Sequence, residues 1–254
     1  MSKIFDALRR AEGQRSESNE FVPEPAPHRG RRELRAAALP DASDLPPDFI
    51  RELGILRNSL DITFSTMEKR SILFTSATPG EGTTTVATNF ARFLALQGSG
   101  QVLVCELNAR RPAFTRVFSI NGTAGMTDYF SKRIQLKSIV QTVGGNQMDV
   151  LHVGAHDPTI IQLHLTQVLP EFLGDAFQLY DTVIIDAPPV ISCPETPPMT
   201  GMVDGVVLVV QAGRTKREVV LRSMESIANF KGNILGVVLN RKKYYIPEFL
   251  YKRI

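Results

Sequence analysis

The sequence predicts an α/β fold of three layers, a mostly parallel twisted sheet with helices on both faces. Three observations predict it. From Ser71 onward, short apolar runs rich in β-branched residues alternate with longer helical stretches, the pattern of repeated strand–helix–strand units. The runs SILFTS (71–76), QVLVCE (101–106), DTVIID (181–186) and GVVLVVQ (205–211) are apolar almost throughout, as strands buried on both faces are. A glycine-bearing loop joins the first run to the helix after it, where such sheets hold ligands.

The elements follow in order. Ser2–Arg15 places Ile4, Phe5 and Leu8 on one face, a short amphipathic helix over 1–15 that is marginal alone. It reads either as a frayed terminus or as a docking peptide for a partner or a membrane surface. Residues 16–46 carry Pro23, Pro25, Pro27 and Pro40 among Ser, Glu and Arg. With few apolar groups to offset ordering entropy, this stretch reads as a disordered linker. Its Arg29–Arg35 cluster reads as a solvated charge run or a contact for acidic surfaces. The α/β domain spans 47–243. It opens on a helix near Pro46–Pro47 with Phe49, Leu53, Leu56 and Leu60 in register. Then come a strand over 71–76, a helix over 83–97 and a strand over 101–106. A strand over 149–153 and a helix over 158–174 follow, then a strand over 181–186. A strand over 205–211, a helix over 215–230 and a strand over 233–240 complete the domain. Residues 244–254 form a basic tail bearing Tyr244, Tyr245 and Tyr251. Tyr245, Phe249 and Leu250 around Pro247 also suit a segment folded back on a sheet edge.

The charge balance narrows the function. The whole chain sums to +3, but residues 241–254 hold five cations against one acid, so the body is nearly neutral. A strongly basic nucleic-acid binder is disfavoured. Two cysteines, Cys105 and Cys193, do not make a disulfide framework or a Cys-rich zinc site. Cys105 lies in an apolar run and is expected to be buried. No long apolar segment marks a signal peptide or a membrane span, so a cytoplasmic protein is expected.

After the first strand stands Ala77-Thr78-Pro79-Gly80-Glu81-Gly82-Thr83-Thr84-Thr85. Glycines there let backbone N–H groups converge on an anion, and the following helix adds its dipole. Against the phosphate-loop template G-x-x-x-x-G-K-[ST], Gly82 fills the second glycine and Thr84 the Mg²⁺-binding hydroxyl position. Thr83 stands where the template has Lys. The alternative is a glycine-rich turn capping an ordinary helix. Two further segments bear on the choice. Glu106-Leu107-Asn108-Ala109-Arg110-Arg111-Pro112 follows the second strand, and Asp186 closes an apolar strand ahead of Ala187-Pro188-Pro189. An acid at that strand end can hold Mg²⁺ or its water shell.

Together these segments resemble the cytoplasmic bacterial tyrosine kinase family of capsular and exopolysaccharide systems, within the MinD/ParA-like group of P-loop proteins. The resemblance runs from about Phe49 to Asn240. It rests on FTSATPGEGTTTVATNFA, VLVCELNARRPAFTRVF, YDTVIIDAPPV, VDGVVLVVQAGRTKREVV and ILGVVLNR. It implies ATP and Mg²⁺ as cofactors, with Gly80, Glu81, Gly82, Thr83, Thr84, Thr85, Arg110 and Arg111 around the nucleotide. It places Thr84 and Asp186 on the metal, and Glu106, Asn108 and Asp186 at the catalytic positions. Tyr244, Tyr245 and Tyr251 become phosphoacceptor candidates. A separate membrane subunit of the chain-length-regulator type is the expected activator, and self-association is possible for the family.

The chain departs from the family at several points. Thr83 replaces the phosphate-binding Lys, and Glu106 and Asn108 replace two Asp residues. On the first helix, where the family carries a Glu/Arg/Arg pattern for self-association, Arg51 and Gly54 stand at two positions and only Arg57 matches. Phosphoryl transfer depends on positioned charge and metal. The expectation is therefore a regulatory kinase-like protein with impaired transfer. An active tyrosine autokinase and a MinD/ParA-like positioning ATPase are the alternatives.

Overall fold

A computed structural model describes residues 46–120, 124–131, 134–143, 148–154 and 159–242. All belong to the compact unit Ala36–Ile254. The expected helix over 1–15, the linker over 16–46 but for its last residue, and the tail over 244–254 lie outside the described residues.

Among the described residues, seven strands form one sheet in the order β3-β4-β2-β5-β1-β6-β7. They are β1 (Arg70–Ser76), β2 (Val102–Glu106), β3 (Gln141–Val143), β4 (Met148–Leu151), β5 (Thr182–Asp186), β6 (Gly205–Gln211) and β7 (Ile234–Asn240). Every pairing is parallel except β3 with β4. The helices are α1 (Pro47–Thr63), α2 (Thr83–Leu96), α3 (Phe114–Val117), α4 (Met126–Phe130), α5 (Thr159–Ala176), α6 (Thr196–Thr200) and α7 (Arg217–Asn229).

The three layers follow from side-chain alternation along each strand. Ile72, Phe74, Val102, Val104, Ile184, Val207 and Val209 enter one core with Leu53 and Leu60 of α1 and Phe90 and Leu94 of α2. Their neighbours Leu73, Leu103, Cys105, Val183, Ile185, Val206 and Leu208 enter the other. Leu165, Leu169 and Phe172 of α5 and Ile227 of α7 close that second core. Both faces of the central strands are thus covered, which is why their sequences show no polar alternation.

Most expected elements appear within a residue or two. The strand expected over 149–153 runs over Met148–Leu151, and α5 extends to Ala176 through Pro170. Packing of Val168, Leu169, Phe172 and Leu173 against the sheet outweighs the local cost of the proline. The antiparallel edge strand β3 and the short helices α3, α4 and α6 were not anticipated.

On α1, Arg57 Nε donates to Asp61 at 3.2 Å and Arg70 Nη1 to the same carboxylate at 2.7 Å. Helix and first strand are tied there, at the end of β1 away from the glycine-rich loop. Among the described residues, Arg51 pairs only with exposed Asp48 and Glu52, contacts worth little in water. No described helix is long and apolar enough to cross a membrane.

Candidate functional site

The carboxyl ends of parallel strands gather on one edge of such a sheet, and the site forms there. Gly80 and Gly82 have φ of +87° and +93°, values that L-residues with a Cβ adopt only with strain. They turn the chain so that Gly82 becomes the residue that starts α2, with no side-chain cap. The first N–H groups of α2 are therefore left to the space in front of the loop.

Glu81 is buried and turned away from that space. Its carboxylate accepts the Thr78 N–H at 2.8 Å, the Gln211 N–H at 3.3 Å and the Thr215 hydroxyl. It closes the loop on itself and fastens it to the end of β6. From the next strand, the Asn240 side-chain amide donates to Glu81 O at 2.8 Å, and Arg241 Nη1 donates to Gly80 O at 3.1 Å. A Cβ on Gly82 would overlap that same Asn240 amide. Gly82→Ala should therefore cost at least about 1–2 kcal/mol, the strain of a side chain at positive φ, read as a lowered denaturant midpoint at unchanged m-value.

Register places the acids. Asp186 of β5 lies level with Phe74 of β1 on one side and with Glu106 of β2 on the other. Thr84, one residue into α2, donates its hydroxyl to Asp186 Oδ2 at 2.6 Å. Asp186 is wholly buried, and its other oxygen, Oδ1, has no hydrogen-bond partner among the described residues. Burial, opposed by the Thr84 hydroxyl and aided by the Glu106 charge, pushes its pKa up to about 8. An orphaned carboxylate oxygen beside a threonine hydroxyl is a donor set that suits a hard divalent cation.

Glu106 is spent elsewhere. Its carboxylate accepts the backbone N–H groups of Ala113, Phe114 at 3.0 Å and Val153 at 3.3 Å. It thus caps α3 and pins the chain just beyond β4. Burial raises its pKa, and the three N–H groups oppose that rise.

In front of the loop is a cavity of about 490 Å³. Gly80, Gly82, Thr83, Thr84 and Thr85 form its floor, and Asn108, Arg110 and Arg111 form part of its wall. Neither Glu81, Glu106 nor Asp186 lines it. Arg110 is occupied by a two-pronged ion pair to Glu195, Nε to Oε1 at 2.9 Å and Nη2 to Oε2 at 3.3 Å. Arg116 and Arg241 also line the cavity. Four arginines and no acid therefore face it among the described residues. The tail tyrosines Tyr244, Tyr245 and Tyr251 lie outside the described residues. Sequence reasoning missed Arg116, Asn240, Arg241 and Glu195. The available signal for Arg241 was its place just past the carboxyl end of an apolar parallel strand.

No family model matches the chain. It is 31% identical over 188 residues to the tyrosine-protein kinase YwqD of Bacillus subtilis (strain 168), a match covering 74% of this chain and 79% of that one. It is 28% identical over 200 residues to the tyrosine-protein kinase Etk of Escherichia coli (strain K12), of which it spans 27%. The solved kinase domain of Escherichia coli ETK superposes with a TM-score of 0.69 at 25% identity, over 78% of this chain and 79% of that one. The septum site-determining protein MinD of Pyrococcus horikoshii, solved with Mg-ADP, shares the fold at a TM-score of 0.58 and 20% identity, over 73% and 76% of the two chains. With this sheet order, this loop and these relatives, the chain belongs to the bacterial tyrosine-protein kinase family of capsular and exopolysaccharide systems, on a MinD/ParA-like P-loop fold.

Proposed function

We propose that this protein is a kinase-like regulator of exopolysaccharide or capsule synthesis and export. In this reading it holds Mg-ATP and transfers its γ-phosphoryl group poorly. One observation carries the proposal. The loop and cavity that would hold a nucleotide are formed, and the groups at the transfer positions do not suit the movement of a phosphoryl group. The turned loop, the Thr84–Asp186 pair and the arginine-lined cavity suit a polyphosphate and its metal. Thr84 and Asp186 would hold Mg²⁺, which when bound neutralises charge on the phosphates. At the transfer positions, Thr83 offers a hydroxyl in place of an ammonium. Asn108 carries no charge and cannot take a proton. Glu106 already serves three backbone N–H groups, so it is a poor base for an incoming tyrosine hydroxyl.

The same reading takes residues 1–15 as a docking helix on a linker over 16–46. It takes a membrane subunit of the chain-length-regulator type as the partner, and places the protein in the cytoplasm at the inner face of the membrane. Homo-oligomers are compatible with it, and nucleic acid is not a ligand.

Titration calorimetry with Mg-ATP, paired with incubation in γ-labelled ATP, tests the reading. Saturable binding without label on the protein is expected. Label on Tyr244, Tyr245 or Tyr251 would establish the active autokinase instead. Absence of binding would remove the nucleotide from the proposal.

A further inference from the structure

The loop lacks its lysine, yet the cavity in front of it is not short of positive charge. The four arginines differ in what they already hold. Arg110 gives two guanidinium nitrogens to Glu195, so its charge is compensated. Arg111 and Arg116 belong to the wall that follows β2, and neither has an ion-pair partner among the described residues. Arg241 enters from the opposite side, at the end of β7, and it alone of the four donates a hydrogen bond to the glycine-rich loop. Its Nη1 donates to Gly80 O at 3.1 Å and to Gln211 Oε1 at 3.3 Å. Both acceptors are neutral, so the charge is anchored without being cancelled.

The backbone around Arg241 is built to keep it there. Arg241 has φ of +55°, a conformation that costs a non-glycine residue about 1 kcal/mol or more. It is held by its own N–H donating to Asn240 Oδ1 at 2.8 Å, while the Asn240 amide holds Glu81 O. Two of the loop's carbonyls, those of Gly80 and Glu81, are thus taken by consecutive residues of one strand end. With Nη1 on Gly80, the guanidinium still has Nη2 and Nε to offer, in a fork that matches phosphate oxygens.

We propose that Arg241 is the phosphate-reading cation of this site, supplied from the end of β7 in place of the missing lysine at position 83. The inference rests on the nucleotide reading above and specifies which group grips the polyphosphate.

The experiment measures binding of Mg-ATP, inorganic tripolyphosphate and adenosine to the full chain and to Arg241→Gln and Arg241→Lys. Gln removes the charge and keeps an amide donor at the place of the Arg Nε, whereas Lys keeps the charge. Arg241→Gln should weaken Mg-ATP and tripolyphosphate about tenfold or more, equivalent to ~1.4 kcal/mol. Adenosine binding and the ligand-free melting temperature should be unchanged. Arg241→Lys should recover most of the loss. If Arg241→Gln binds both polyphosphates as the wild type does, the proposal falls and the nucleotide reading stands. If both variants lose affinity in step with melting temperature, Arg241 is only a clamp and the proposal falls. If the wild type binds neither Mg-ATP nor tripolyphosphate, the nucleotide reading falls and takes this one with it.

Discussion

Asp186→Asn should make the nucleotide-free protein more stable, and increasingly so as pH rises. Asp186 is wholly buried beside Glu106, with one oxygen on the Thr84 hydroxyl and the other without a partner. Its pKa stands at about 8 against an ordinary 3.8. Between those values the folded chain retains a proton that the unfolded chain releases. Stability therefore declines as pH rises from about 4 to about 8. Below that window both states are protonated and the penalty vanishes. Above it the native state carries the full cost of a buried charge. Asn keeps the shape and cannot ionise, so it removes this pH dependence. A gain of about 1–3 kcal/mol at pH 8, the scale of one poorly satisfied buried polar group, corresponds to roughly 2–10 °C in Tm. The gain should shrink towards pH 5. The same variant should lose the Mg²⁺-dependent part of nucleotide affinity. A melting temperature that tracks the wild type at both pH values would show that Asp186 is ionised in the free protein at no cost.

Thr83→Lys should tighten Mg-ATP binding by about 10–100-fold, since a charge-assisted hydrogen bond contributes ~1.5–3 kcal/mol and ~1.4 kcal/mol is a factor of ten. Thr83 opens α2 and lines the cavity, so the longer side chain has space on the ligand's side. Tyrosine labelling should remain absent, because Glu106 and Asn108 still occupy the transfer positions. Affinity unchanged in a calorimetric titration would mean that a lysine at position 83 adds nothing to the charge that Arg241 already brings to the loop. Labelling restored by this one substitution would place the whole defect at position 83.

The sheet and the loop were legible because they rest on long, local signals. Apolar runs with no polar alternation can only be strands covered on both faces, and a glycine-rich turn between strand and helix has few other uses. β3 was not legible. Gln141–Val143 is three residues long, part exposed, and paired on one side only, so no burial writes itself into its composition. The candidate site was legible at Gly82 and Thr84, which fall on the phosphate-loop template, and at Asp186, which closes an apolar strand. It was not legible at Glu106, which in sequence is one methylene longer than Asp. Its partners, Ala113, Phe114 and Val153, are chosen by how the chain after β2 turns back and where β4 ends. Glu81 reads as one more member of a phosphate loop, yet its ties run to β6 and to the residues after it, some 130 positions on. Arg241 stands 161 positions from Gly80, and only the parallel order β1-β6-β7 makes them neighbours.

The grip of Asn240 and Arg241 on Gly80 and Glu81 has a mechanical meaning as well. The chain leaves β7 at this grip and continues directly into residues 243–254, with no further described element between. Displacing the end of β7 would therefore disturb the glycine-rich loop through two side chains. Linkage would make any such coupling two-way: whatever an occupant of the loop contributes to holding the end of β7 in place, holding that end returns to the occupant.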